Sequence, residues 1–565
     1  MYDIYPSFSL GDDKIHHGFE SLSKRISHEK IVIIEGYQGV FFEAIRRELT
    51  VCLKTSGIKT FWQDVGTAMW PSAEIGHQIE PFLGGDDPLF GTRCTLVLHD
   101  LFDPAKLENL QPDPGAALNI IYGVGASLAG WSGCLIYIDL PKNEMQYRAR
   151  KGLITNLGAN TFAHPKAMYK RFYFVDWILL NMHKDELAGK TDIVADGQSE
   201  ESLTWMEGDD LRIALSRMSR NVFRVKPWFE PGVWGGTWIR DHIPGLRKDV
   251  PNYAWSFEMI VPENGLTLES SGTYLEVSFD WLMFREAEAV LGDCHSRFGK
   301  EFPIRFDFLD TFDGGNLSVQ CHPQEEYIQN KFGEKFTQQE AYYILDTRDN
   351  AMVNLGFTDN INPVLFKKNL EKSAKDNTPV DIPLFVQQHH ASKHDLFLIP
   401  EGTVHGSGTN NLVLEISTTP YIFTFKMYDW LRMDLDGNPR DLNISRAFEN
   451  LDFTRKGEII RREFISRPQL LEEGPGWKKF HLPTHSLHYY DVWRYHISSS
   501  VQISTNNKCH VLSLVEGESL LLETAGGLSK RFSYAETFAI PAAAGSYTVK
   551  NISESDIMLI IAFIK

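Results

Sequence analysis

The first third of the chain alternates short apolar runs with breaks. Residues 30–35 (KIVIIE) form a β-branched run that the glycine turn GYQG at 36–39 closes, and 40–53 then carries apolar positions at helical spacing. The runs at 95–98 and 134–138 repeat the short apolar pattern, each closely followed by an aspartate, Asp100 or Asp139. Strand, glycine turn, helix and further buried strands predict a doubly wound α/β domain over 1–215. From about Phe223 the period changes to two. Short segments rich in Phe, Tyr, Val and Ile recur at 274–279, 304–309, 317–320, 341–345, 396–399, 412–416 and 422–427, separated by Gly, Pro and Asn. That spacing predicts antiparallel sandwiches or barrels. A lysine-rich stretch with helical spacing interrupts them and predicts a helical insertion at about 360–392. A second β-rich stretch follows Arg467, so the β region is expected to divide into 223–470 and 471–565.

A repeat links the two β stretches. DLFLIPEGTVH (395–405) and ETFAIPAAAGS (536–546) share an F-x-I-P core, with Ser546 in the second copy where the first has His405. The length of 565 residues, at roughly 100–200 per domain, is consistent with three or four domains. The formal net charge of −18 argues against nucleic acid and against an anionic membrane surface, both of which need a concentrated basic face. A phosphorylated small molecule, held by a few local cations, stays compatible. Six dispersed cysteines without a CxxC pair, no secretory leader pattern and no membrane-length apolar run predict a cytoplasmic protein.

The densest polar pattern is NLSVQCHP at 316–323. On a strand, Ser318, Gln320 and His322 share one face, while Val319 and Cys321 share the other. Polar groups facing a barrel interior are costly unless something satisfies them, either mutual hydrogen bonds or a metal. Glu340 opens the next apolar strand, and His405 follows the turn PEGTV. Gln320, His322, Glu340 and His405 would supply one carboxylate, two neutral imidazoles and one amide oxygen. With a divalent ion such a set keeps net positive charge, which suits a Lewis acid with an open position. Zn2+ fits these ligands, and Mn2+ or Fe2+ is compatible.

LSVQCHP, EAYYIL, IPEGTVHGSG, LVLEIS, KMYDWLR and DGNPRDLNI occur in order, after VWGGTW at 233–238. Together they closely resemble the type I mannose-6-phosphate isomerases, zinc enzymes with the cupin (double-stranded β-helix) fold, over roughly 223–565. The resemblance implies interconversion of mannose 6-phosphate and fructose 6-phosphate through a cis-enediol, with Gln320, His322, Glu340 and His405 on the four metal positions. It makes Glu415 a candidate acid/base or hydroxyl-positioning group and Ser318 a phosphate contact. Three cationic positions depart from the family pattern. Lys426 stands for an arginine, Gln338 for a lysine, and Asp307 for a lysine. Lys426 is the candidate catalytic cation beside Glu415, and Arg305 and Arg432 are the candidates for substrate binding.

The N-terminal segments GYQGVFFE, YIDLPKNEMQYR (137–148) and YKRFYFVDW (169–177) faintly resemble P-loop nucleoside or nucleotide kinases. The turn lacks the lysine and the hydroxyl of GxxxxGK[ST], so a degenerate kinase-like domain is expected, with a nucleotide as its candidate ligand. Two alternatives to the isomerase stay open: a non-catalytic sugar-binding regulator, and a bifunctional sugar kinase–isomerase.

Overall fold

The computed structural model describes residues 1–434 and 437–565. Asp436, the first residue of DGNPRDLNI, lies outside the described residues. Two compact units are present. One is formed by Pro6–Met218 with Pro262–Ala287, the other by Met1–Tyr5, Ser219–Val261 and Glu288–Lys565.

The first unit is built on a seven-stranded sheet. Its strands are β1 (His16–His17), β2 (Ile31–Gly36), β3 (Thr60–Asp64), β4 (Leu118–Tyr122), β5 (Cys134–Asp139), β6 (Ile193–Asp196) and β7 (Thr204–Glu207). The order is β1-β7-β6-β5-β2-β4-β3, parallel from β6 to β3 and antiparallel at the β1–β7–β6 edge. The apolar run after Lys30 becomes β2, which parallel neighbours bury on both sides. Helix α1 (Phe42–Thr55) follows the glycine turn and buries Ile45, Leu49 and Leu53, one residue per turn on a single face.

Two expectations need correction here. Residues 95–98 form no strand. Their carboxyl end turns into a short 3-10 helix (Leu98–Leu101), stabilised by the Asp100 carboxylate accepting from Val97 N at 2.9 Å. The strand in that position of the sheet is β4, LNIIY. The segment at 274–279 is a strand, Thr273–Ser278, but it pairs with Gly265–Ser270, which in turn pairs with Phe8–Ser9 of the same unit. Lys184 Nζ, buried in this unit, donates to Asp139 Oδ1 at 2.6 Å and to Ser278 Oγ.

The second unit contains two pairs of sheets. In the first pair, the six-stranded sheet runs β15-β12-β17-β10-β9-β8 and the five-stranded sheet β14-β13-β16-β11-β18. In chain order these are β8 (Trp228–Glu230), β9 (Trp255–Met259), β10 (Ile304–Asp310), β11 (Val319–Cys321), β12 (Glu340–Thr347), β13 (Met352–Phe357), β14 (Val386–His390), β15 (Leu396–Ile399), β16 (His405–Ser407), β17 (Asn411–Thr418) and β18 (Phe425–Tyr428). Leu309, Tyr342, Ile344, Val413 and Ile399 from one sheet meet Val353 and Leu355 from the other in one apolar core. The lysine-rich helix, α2, spans Pro363–Asp376, with Asn362 capping it through Leu365 N at 3.0 Å. Residues 386–390 return to the sheet as β14.

The second pair repeats the first. Strands Thr537–Ile540, His510–Glu516, Ile557–Ile564 and Tyr490–Ile497 lie in the order of β15, β12, β17 and β10. Strands Ser529–Ser533, Ser519–Thr524, Ser546–Asn551 and Ser500–Ser504 lie in the order of β14, β13, β16 and β11. The N-terminal residues join this unit. Met1 N donates to Ser533 Oγ at 3.0 Å, Asp3 N donates to Glu536 Oε1 at 2.6 Å, and the buried Arg224 bridges Glu536 at 2.8 Å and Glu258 at 3.2 Å. Among the described residues, no helix is long and apolar enough to cross a membrane.

VWGGTW packs against the end of β10. Gly236 N donates to Asp310 O at 2.7 Å, and a Cβ there would lie 2.2 Å from Asp310 Oδ1 and 2.5 Å from Phe312 N. Only glycine fits that approach. Gly236→Ala is expected to cost about 1–3 kcal/mol through overpacking. Denaturant unfolding would measure it, and an unchanged midpoint would show that the contact relaxes freely.

Candidate metal centre

Three strands from two sheets bring the polar face of NLSVQCHP to the residues expected to join it. Antiparallel pairing of β11 with β16 sets Gln320 opposite His405. Glu340, the first residue of β12, reaches both imidazoles: its Oε2 is hydrogen-bonded to His322 Nε2 and lies 3.3 Å from His405 Nε2. Gln320 Nε2 lies 3.3 Å from His405 Nε2, and Ser318 Oγ donates to Gln320 Oε1 at 2.7 Å. One ligand atom from each of His322, Glu340 and His405 falls within 4.8 Å of the others, and all three residues are buried.

The outer nitrogens fix the tautomers. His322 Nδ1 lies 3.0 Å from Phe423 O, and His405 Nδ1 lies 2.9 Å from Thr403 O. Carbonyl oxygens only accept, so each Nδ1 carries a proton and Nε2 is the nitrogen turned to the centre, where giving up its proton to a cation would free a lone pair. Burial opposes ionisation of Glu340, but His322 and His405 outweigh it and hold the carboxyl below its ordinary range. Two imidazole lone pairs and a buried carboxylate, converging at this distance, match the donor set of a divalent cation site. Turning the Gln320 amide end for end would present its oxygen as a fourth donor.

The remaining expected residues lie on the same two sheets. Two adjacent rows cross the six-stranded sheet on one face. Arg305 (β10), Ser417 (β17) and Glu340 (β12) form the first row, and Asp307, Glu415 and Tyr342 form the second on the same strands. Asp307 and Glu415 are therefore direct cross-strand neighbours, both carboxyls and both buried. Gln338 Nε2 donates to Glu415 Oε1 at 3.3 Å. Lys426 on β18 is opposite Gln320 in register. The Arg305 guanidinium lies 4.6 Å over the Tyr421 ring and sends Nη1 to Thr418 O at 3.5 Å. Arg432 is ion-paired with Asp429, which also pairs with Arg440 at 2.7 Å.

Register also reveals members that the sequence pattern alone does not single out. The second row continues outward from Asp307 to Phe257 on β9 and Trp228 on β8. Their rings stack at 4.1 Å between centroids with 24° between planes, and both are half-buried. Tyr342, inside the motif EAYYIL, joins through the same register. The alternation in WFE and WSFEM was the available signal, but nothing in it says which strand lies beside β10.

Burial, which Arg305 only partly offsets and Glu340 reinforces, raises the Asp307 carboxyl to about 7. Burial together with Asp307 and Glu340 also pushes Glu415 well up. The folded protein thus holds a proton that an unfolded chain, with carboxyls near 4, releases across about pH 4–7. Stability carried by this pair falls as pH rises through that window. Asp307→Asn is expected to gain on the natural protein at pH 8 relative to pH 5 in thermal melts. A stability difference independent of pH would exclude a shared proton.

Residues 18–220 match the model of a family described as "Domain of unknown function (DUF8485)", which names no activity. The β region matches curated proteins. Mannose-6-phosphate isomerase ManA of Bacillus subtilis is 23% identical over 340 residues, covering 60% of this chain and 98% of that relative. Mannose-6-phosphate isomerase of Streptococcus mutans is 24% identical over 291 residues, covering 51% and 82%. The crystal structure of the Bacillus subtilis mannose 6-phosphate isomerase superposes with a TM-score of 0.50 at 21% identity, over 61% of this chain and 99% of that one, a likeness of fold. Over its C-terminal part, the chain is a homologue of the type I mannose-6-phosphate isomerases.

Proposed function

We propose that the chain is a metal-dependent aldose–ketose isomerase that interconverts mannose 6-phosphate and fructose 6-phosphate. The observation that carries this reading is the convergence of His322 Nε2, His405 Nε2 and the Glu340 carboxylate beside a buried carboxyl pair. The twice-repeated sheet pairs support the cupin reading, with 223–470 bearing the site and 471–565 a metal-less copy. A Zn2+ held by His322, Glu340, His405 and Gln320 would polarise the sugar oxygens and stabilise the negative charge of the cis-enediol.

The residues have the following tasks. Isomerisation moves a proton between two neighbouring carbons, so a group must take it and return it on one face of the sugar. In this reading Glu415 and Asp307, with raised proton affinity and one row from Glu340, hold that proton near neutral pH. Lys426 supplies a cation on the strand beside Gln320, and Ser318 braces the Gln320 amide. Arg305 and Arg432 bind substrate oxygens in this reading.

The α/β unit is read as a degenerate, kinase-like partner without phosphotransfer. Its turn after β2 has no lysine, serine or threonine, and the Gly39 carbonyl in that turn already accepts from Arg148 Nη1 at 2.7 Å.

Removing metal with a chelator is expected to abolish aldose–ketose conversion, and added Zn2+, Mn2+ or Fe2+ to restore it. His322→Ala should lower kcat/KM at least about 100-fold together with bound metal, measured by elemental analysis. Full activity in metal-free protein would rule out the metal-dependent mechanism.

A further inference from the structure

The isomerase site carries a second message about its substrate. Among the described residues, three buried polar atoms lack a hydrogen-bond partner here: Asp307 Oδ1 and Arg305 Nε on its two rows, with Gln338 Oε1 beside them. Buried polar groups are normally satisfied, so a local concentration of unsatisfied ones marks where a polar ligand sits. The set mixes acceptors (a carboxyl and an amide oxygen) with one guanidinium N–H, beside the Tyr342 and Ser417 hydroxyls on the same rows. A sugar hydroxyl, itself donor and acceptor, matches such a mixture.

A phosphate matches it poorly. Phosphate sites gather cations and N–H donors, whereas these rows place three carboxyls (Glu340, Asp307 and Glu415) around one arginine. That arginine lies over the Tyr421 ring, and Arg432 is ion-paired with Asp429, which it shares with Arg440. A phosphate brought to this end of the row would meet carboxyl and hydroxyl groups around a single guanidinium. At the outer end stand Trp228 and Phe257, stacked and half-buried. Aromatic faces pack against the C–H side of a sugar ring while its hydroxyls point to the flanking polar groups.

We infer that the site recognises its substrate through hydroxyl groups along the row Trp228–Phe257–Asp307–Glu415–Tyr342 and not through a terminal phosphate, so that unphosphorylated aldoses are substrates. This rests on the isomerase reading. It extends the substrate class from a sugar phosphate to the neutral sugar itself. Asp307 is the specificity residue, because a lysine there would put a positive charge at the row's centre.

The test uses the full-length, metal-loaded protein with D-mannose and mannose 6-phosphate. Kinetics should show kcat/KM values for the two within about tenfold of each other, and Asp307→Lys should move the ratio toward mannose 6-phosphate by at least about tenfold. Calorimetry should show mannose binding at least as tightly as mannose 6-phosphate, and Trp228→Ala should weaken mannose binding. A preference for mannose 6-phosphate of a thousandfold or more in kcat/KM, or phosphate-dependent binding, overturns the inference and leaves the isomerase intact. Conversion of neither sugar removes the isomerase reading, and calorimetry still decides whether hydroxyls or phosphate are recognised.

Discussion

The second unit is organised around one shared carboxylate. Glu340 sits between His322 and His405, and neither imidazole can turn away because its other nitrogen is tied to a backbone carbonyl. A cluster of this kind demands agreement among distant parts of the chain. The carbonyls come from Phe423 and Thr403, in the loops before β18 and β16, while the imidazoles come from β16 and the end of β11. Loops here act as the outer shell of a site whose inner shell is sheet. The apolar core between the sheets supplies the rigidity, and the polar rows occupy the end of the same interior.

The second sheet pair illustrates the same scaffold with another interior. Glu340 pairs with Ile399 of the first F-x-I-P core, and His510 pairs with Ile540 of the second. His510 therefore occupies the position of Glu340. Its Nδ1 is 2.8 Å from Tyr547 Oη, and it lies beside a core of Ile503, Leu512, Leu514, Phe538 and Ile561. Burial, with Lys479 and Lys508 nearby, lowers its pKa to about 3, so the ring is neutral. Where the first interior gathers His322, Glu340 and His405, the second holds the neutral His510–Tyr547 pair beside hydrocarbon. Topology is shared, and chemistry follows from a few inward-facing residues.

The sequence made the local elements and the His–Glu–His cluster legible for different reasons. Strands with strict alternation, such as 304–309 and 412–416, stand out because burial on one face leaves a period of two. The donors of the cluster were readable because Ser318, Gln320 and His322 lie on one strand face and the motifs around Glu340 and His405 are distinctive. Residues 95–98 misled because four apolar residues cannot by themselves distinguish a strand from the entry to a helical turn. The row from Trp228 to Tyr342 was hidden because it depends on register across five strands separated by long loops, and local periodicity carries no register.

The chain's path between its compact units has a consequence for synthesis. Pro262–Ala287 lies between β9 and β10 in sequence yet completes the first unit, while Met1–Tyr5 is fastened to Ser533 and Glu536 of the second. Domains commonly form in the order in which they leave the ribosome. Here residues 1–5 must wait, unsatisfied, until residues 533–536 have emerged, and the α/β unit gains the hairpin of 265–278 only after strands of the β unit have been made. Maturation is therefore interleaved, and a single scissor cut in the gene would divide neither unit from the other cleanly.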